Sequence, residues 1–180
     1  YSDINNLLET LISDLQAILG DKLLGVYLYG SLVAGDYDDE ISDIDLLVAL
    51  SDDLTPTEYD ALDRMHHDIV ARDSRWDNRI EVAYVTHHAL QTFKTERRDL
   101  AVISPGEPFH YKSAGIDWLI NWHIVREKGV VLYGVPATDI IAPTTQAEYV
   151  QKVRDHADSW GEWIHEPMAL SSQSNSILTL

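Results

Sequence analysis

Asp43 and Asp45 stand two residues apart in Ser42-Asp43-Ile44-Asp45-Leu46, at the head of an apolar run over residues 46–50. In an extended chain positions i and i+2 share a face, so both carboxylates leave the same side. Like charges that close repel unless a cation sits between them. A hard divalent ion that takes oxygen ligands, Mg²⁺ above all, answers that need. Upstream, Gly30-Ser31 follows a second β-rich run over residues 24–29. A glycine at a strand end lets backbone approach an anion, and a residue opening a helical turn offers a phosphate its N–H group and, here, a hydroxyl. A phosphate-binding turn and metal-binding carboxylates on one strand–turn–strand unit imply a nucleoside triphosphate handled through Mg²⁺.

A third carboxylate lies in Ile80-Glu81-Val82-Ala83-Tyr84-Val85. Alternation puts Ile80, Val82 and Tyr84 on one face and Glu81, Ala83 and Val85 on the other. Glu81 is thus carried among apolar neighbours, where an unpaired carboxylate is costly. A partner charge such as Arg79, or a metal on the adjacent strand, resolves that cost.

Taken together, Gly30-Ser31, Gly35-Asp36 and Ser42-Asp43-Ile44-Asp45-Leu46 resemble the signature G-S, then G, then S-D-x-D-L, of the nucleotidyltransferases related to DNA polymerase β. Several fixed points within one unit make this far more specific than a lone glycine motif. The resemblance implies an α/β (α+β) nucleotidyltransferase fold, a small mixed sheet flanked by helices, and a Mg²⁺-dependent enzyme. It assigns Asp43 and Asp45 to the metal, Gly30 and Ser31 to the β- and γ-phosphates, and Ser42 to orienting the metal pair. Glu81 matches the third carboxylate of the pattern, which takes the acceptor's proton or completes a second metal site. ATP as donor follows from the resemblance alone, because no residue pattern here reads adenine.

The charge balance narrows the acceptor. With 13 Lys and Arg against 30 Asp and Glu, the net charge is −17. Such a surface repels phosphate backbones, so nucleic-acid partners are not expected, and an acidic cleft concentrates a small cationic molecule instead. The chain has no cysteine, which excludes disulfides and thiolate metal sites. No apolar run approaches the ~20 residues that span a bilayer, and the acidic, amphipathic opening is not a signal peptide; a cytoplasmic protein is expected.

The surrounding elements must hold these residues in place. Leu7, Leu8, Leu11, Ile12, Leu15, Ile18 and Leu19 recur at helical spacing over residues 5–19, ahead of Gly20, with Ser2 or Asp3 as cap. The acidic loop 36–40 reads as mostly solvated. A helix from Pro56 to Arg72, capped at Thr55 or Thr57, turns Leu62, Met65, Ile69 and Val70 inward. Its His66-His67 points two ways, a poor chelate. Thr86 caps a short helix through Phe93 that carries His87 and His88. The basic stretch 94–98 is expected to turn one cation toward a triphosphate. Residues 101–113 read as an irregular connection, 117–127 as a helix bearing Trp118, Leu119, Trp122 and Val125, and 130–134 as a strand before a linker with Pro136 and Pro143.

This order of helix, strand and proline passage resembles the aminoglycoside adenylyltransferases of the streptomycin and spectinomycin type. It implies AMP transfer to a hydroxyl of a small cationic acceptor such as an aminoglycoside. The expected organisation is a nucleotidyltransferase domain over 1–142, then a linker and the start of a helical substrate-binding domain over 143–180. A helix capped by Thr145 runs to Trp163 with Tyr149, Val153, His156 and Trp160 on one side. Trp160, Trp163, Glu162 and Glu166 offer an aromatic, acidic face for a cationic sugar, and core packing is the alternative for the tryptophans. Residues 175–180 open an apolar helix without a terminal signal, so a continuation beyond Leu180 is expected. Ser171-Ser172-Gln173-Ser174 lacks the carboxylates with which the resembled enzymes hold their acceptor. Two alternatives stand beside this reading: a minimal nucleotidyltransferase antitoxin that adenylylates a partner protein, and an inactive nucleotide-binding relative.

Overall fold

The computed structural model describes residues 2–163. The two β-rich runs around the glycine turn become β1 (Leu23–Tyr29) and β2 (Ile44–Leu50), joined through a short helix, α2 (Gly30–Ala34), and the acidic loop. With β3 (Ile80–Thr86), β4 (Arg98–Ser104), β5 (Glu107–Ala114) and β6 (Val130–Gly134) they form one six-stranded sheet. Its order is β5-β4-β3-β2-β1-β6. Only the β2–β3 pair is parallel among these strands. The crossover between them needs a helix, and α3 (Pro56–Arg72) supplies it. The mixed sheet flanked by helices is the predicted fold class.

Alternation sorts the strands into two faces. Ile44, Leu46, Val48, Val82 and Tyr84 join α1 (Ser2–Leu19) and α3 in one continuous core. Residues of opposite parity, including Asp45, Leu47, Glu81 and Ala83, look the other way, where α4 (His87–Thr92) contacts β3 and α5 (Leu119–Lys128) contacts β1. The first helix starts earlier than its apolar spacing indicated, at Ser2. Asp3 thus lies in its first turn and pairs with Arg75 at 2.7 Å. Within α3, His66 takes the fourth buried place rather than Val70, since its ring reaches the Tyr84 hydroxyl at 2.8 Å; His67 is exposed. Burial pushes the His66 pKa down to about 4, so it packs as a neutral ring.

Two connections are more ordered than their prolines and glycines indicated. Residues 101–113, read as irregular, belong to a hairpin: Leu100 and Val102 face inward, Pro105-Gly106 makes a two-residue turn, and Pro108 is tolerated because β5 is an edge strand. The passage between Pro136 and Pro143 holds one helical turn, α6 (Ala137–Ile140). Pro143 ends the first compact unit and Thr144 begins the second. In that second unit α7 (Gln146–Trp163) is capped by Thr145, whose hydroxyl accepts from the Glu148 N–H at 3.2 Å while the Glu148 carboxylate returns to the Thr145 N–H at 2.7 Å. The side chains of Trp160, Glu162 and Trp163, and residues Glu166, 171–174 and 175–180, lie outside the described residues.

The same box closes α3, where Thr55 and Glu58 cap reciprocally and Glu58 also meets Lys22 at 2.7 Å. Replacing Thr55 by Ala is expected to cost ~1 kcal/mol in urea unfolding without changing the slope of the transition.

Candidate active site

Register alone brings three side chains of the site to one end of the sheet. Asp45 pairs with Glu81 across the parallel β2–β3 ladder and with Tyr29 across the antiparallel β1–β2 ladder, so all three project from the same face. Asp43 precedes β2 and reaches the same place from the loop. Asp43, Asp45 and Glu81 each offer one oxygen, and these oxygens lie within 4.8 Å of one another.

The glycine turn is built against this group. Gly30 has φ +71°, and a Cβ placed on it would overlap the Asp45 carboxylate. Both the backbone angle and the close approach exclude any side chain there. Next to it the Ser31 hydroxyl is enclosed and finds no hydrogen-bond partner among the described residues. A sheltered, unpaired hydroxyl at the mouth of a carboxylate group is suited to a polar ligand. Ser42 closes the acidic loop instead: its hydroxyl accepts from the Asp38 N–H at 3.0 Å. Asp36, Asp38, Asp39 and Glu40 are exposed, as the sequence indicated.

Electrostatics mark the group as incomplete by itself. Burial, then the charges of Asp43 and Glu81, raise the Asp45 pKa to about 8. Burial raises Glu81 too, opposed by the Ser104 hydroxyl, which donates to its Oε2 at 2.8 Å. The Tyr29 phenol shares the enclosure; burial, Glu81, Asp45 and Asp43 push its pKa well above the phenol range, with Asn121 acting the other way. Three acids forced together so that one keeps its proton fit a divalent cation, which would replace that proton and relieve the repulsion. The all-oxygen donor set suits a hard ion.

Two of these readings change. Arg79 does not pair with Glu81; its guanidinium goes to the acidic loop, donating to Ser42 O at 2.6 Å and Asp39 O at 2.6 Å. The basic stretch does not face the site. β4 runs antiparallel to β3, with Val82 opposite Ile103 and Tyr84 opposite Ala101. Arg98 therefore lies past the far end of β3, roughly 17 Å or more along the strands from Glu81. There Arg97 pairs with Asp117 and Arg98 with Glu96. His88 likewise meets Glu96 at 3.2 Å, away from the carboxylates. Ser104 was missed because its segment read as loop; the alternation Leu100, Val102, Ser104 ahead of Pro105-Gly106 was the signal available.

A sequence profile of the nucleotidyltransferase domain family matches residues 8–114, which span α1 to β5 and every residue of the carboxylate group. The chain belongs to that family. Among solved structures, the spectinomycin adenyltransferase AAD(9) from Enterococcus faecialis, with ATP and spectinomycin, superposes with a TM-score of 0.72. The match covers 97% of this chain and 72% of that one at 17% identity, and it shows a common fold. A toxin–antitoxin complex with AMP-PNP matches with a TM-score of 0.40 at 17% identity, over 86% of this chain and 90% of that one. A mutant of the toxin–antitoxin pair MntA-HpeT gives 0.39 at 15%, over 86% and 90%. A comparison with curated proteins finds no match. No helix among the described residues is long and apolar enough to cross a membrane.

Two measurements check this geometry. Gly30→Ala is expected to destabilise by ~2 kcal/mol or more, and by clearly less in an Asp45→Ala background where the carboxylate is gone. In chelator, the folded pKa of Asp45 lies above its ordinary 3.8. The stability linked to it is therefore complete below about pH 4 and is lost as the pH rises through about 8. Wild-type melting temperature should fall from pH 5 to pH 9 more steeply than that of Asp45→Asn, and Mg²⁺ should flatten the difference.

Proposed function

We propose that this nucleotidyltransferase moves AMP from ATP to a hydroxyl of a small cationic acceptor, an aminoglycoside being the type of molecule that fits, with Mg²⁺ as the metal. The observation that carries the reading is the convergence of Asp43, Asp45 and Glu81 within 4.8 Å of one another beside a glycine whose missing Cβ makes room for the Asp45 carboxylate. A bound divalent ion would draw charge from the α-phosphate, with Asp43, Asp45 and Glu81 as its holders.

The chain's own residues do the rest. Gly30 and Ser31 hold the β- and γ-phosphates through backbone N–H groups and the idle Ser31 hydroxyl, and Ser42 keeps the loop in the shape that presents Asp43. Glu81, oriented by Ser104, accepts the proton of the acceptor hydroxyl. The acceptor oxygen then forms its bond to the α-phosphorus as the bond from that phosphorus to the bridging oxygen breaks, and pyrophosphate leaves with the electron pair. Burial raises the Glu81 pKa above its ordinary value, which makes the carboxylate a stronger proton acceptor.

The acceptor class rests on charge and on fold. A net charge of −17, with the exposed carboxylates of the 36–40 loop beside the site, draws cations and repels nucleic acid. The fold shared with a spectinomycin adenyltransferase supports a drug-sized polyol or aminocyclitol.

ATP labelled at the α-phosphate, Mg²⁺ and a panel of aminoglycosides provide the test. Label should pass to an aminoglycoside with one pyrophosphate released per transfer, and Glu81→Gln should lower kcat by ~10²–10⁴-fold. Label on a partner protein would move the acceptor to a macromolecule, and ATP binding without transfer to any acceptor would contradict catalysis.

A further inference from the structure

The sheet explains where Asp45 and Glu81 stand, but not Asp43, which precedes β2 and belongs to a loop crowded with like charge: Asp36, Asp38, Asp39 and Glu40. Left to itself such a segment would swing its carboxylates apart into water. We infer that Arg79 is the positioning residue of the site, a clamp that ties the Tyr37–Ser42 segment to the start of β3 and so fixes Asp43 beside Glu81. The inference rests on Asp43, Asp45 and Glu81 being the metal-holding group, and it names the device that keeps the third of them there.

The geometry is a bracket around one residue. On the N-terminal side of Asp43, Arg79 Nε and Nη2 both donate to Ser42 O, at 3.0 and 2.6 Å. The other arm continues the grip, Nη1 reaching Asp39 O at 2.6 Å, while Nη2 also donates to the Tyr37 hydroxyl at 3.1 Å. On the C-terminal side, the Ile44 N–H donates to the Arg79 carbonyl at 2.9 Å. Both peptide neighbours of Asp43 are thus tied to one residue, and that residue stands two positions before Glu81. The acceptors are carbonyls and a phenol rather than carboxylates, so the guanidinium sets backbone position and leaves the acidic side chains available. A planar fork with five donors spans three such acceptors; a lysine ammonium reaches one or two from a flexible stem.

The test uses the full chain with Arg79→Gln and Arg79→Lys, Asp43→Asn as reference, and Mn²⁺ with ATP as the probe, read by electron paramagnetic resonance. Alongside it, amide hydrogen exchange is followed across residues 36–43. Both Arg79 variants are expected to lose about 10-fold or more in Mn²⁺ affinity. Exchange should quicken in the loop while the strands keep their protection, and Lys should do no better than Gln. Arg79→Lys, which retains the charge and most of the stem, also serves as the milder variant if Arg79→Gln does not fold. Wild-type affinity and loop protection in Arg79→Gln would overturn the clamp, and full restoration by Lys would reduce it to a charge effect and overturn the geometric claim. If the wild-type protein itself binds no Mn²⁺ with ATP, the metal reading fails first and the site role of Arg79 with it.

Discussion

Everything in the site follows from one unfavourable interaction, the crowding of three carboxylates in a partly dry corner of the sheet. Asp45, Glu81 and Asp43 repel, and burial denies them the water that would make repulsion cheap. A fold that keeps such a group must over-determine it. Here the parallel ladder sets Asp45 against Glu81, the glycine turn presses on Asp45 from one side, and Ser104 fixes Glu81 from the other. The cost is carried by the opposite face of the same strands, where Ile44, Leu46, Val48, Val82 and Tyr84 are buried against α1 and α3.

The strand parity that separates core from chemistry also explains why small elements matter. α2 is five residues long, yet it begins at a glycine with positive φ and places Ser31 at the mouth of the carboxylate group. The acidic loop that follows would be a liability anywhere else. Folded back on itself through Ser42 and gripped by Arg79, it lets its exposed carboxylates face solvent while Asp43 turns inward. The surface field and the inner group therefore have one sign, and in the proposed function they serve differently: the outer charges would attract a cation from solution, and the inner ones would meet a cation at short range.

Much of this was legible in the residues. The pair Asp43 and Asp45, the glycine turn and the parity of Glu81 are local features, and a two-residue period needs no tertiary knowledge to read. What the residues could not disclose was anything decided by register. The β3–β4 pairing sends Arg97 and Arg98 to the far end of the sheet, although in sequence they stand near the site. That same pairing brings in Ser104, whose segment looked irregular because Pro105, Gly106 and Pro108 punctuate it. Arg79 stands two residues before Glu81 and was weighed as its partner, the alternative to a metal on the adjacent strand. Positions two apart share a face only within a strand; Arg79 lies just ahead of β3, is not bound by that alternation, and turns toward the loop. His66 exchanged places with Val70 for a similar reason, since Tyr84 on the sheet offered its ring a partner.

The central claim, that Asp43, Asp45 and Glu81 together hold a metal-bearing polyphosphate against the turn at Gly30 and Ser31, is tested most directly by diffraction. Crystals grown with Mn²⁺ and a non-hydrolysable ATP analogue would be measured at the manganese absorption edge. The account predicts an anomalous peak among the three carboxylates, with phosphate oxygens at the Gly30 and Ser31 N–H groups. A peak elsewhere, or a Glu81 side chain turned away from both aspartates in the loaded protein, would contradict it.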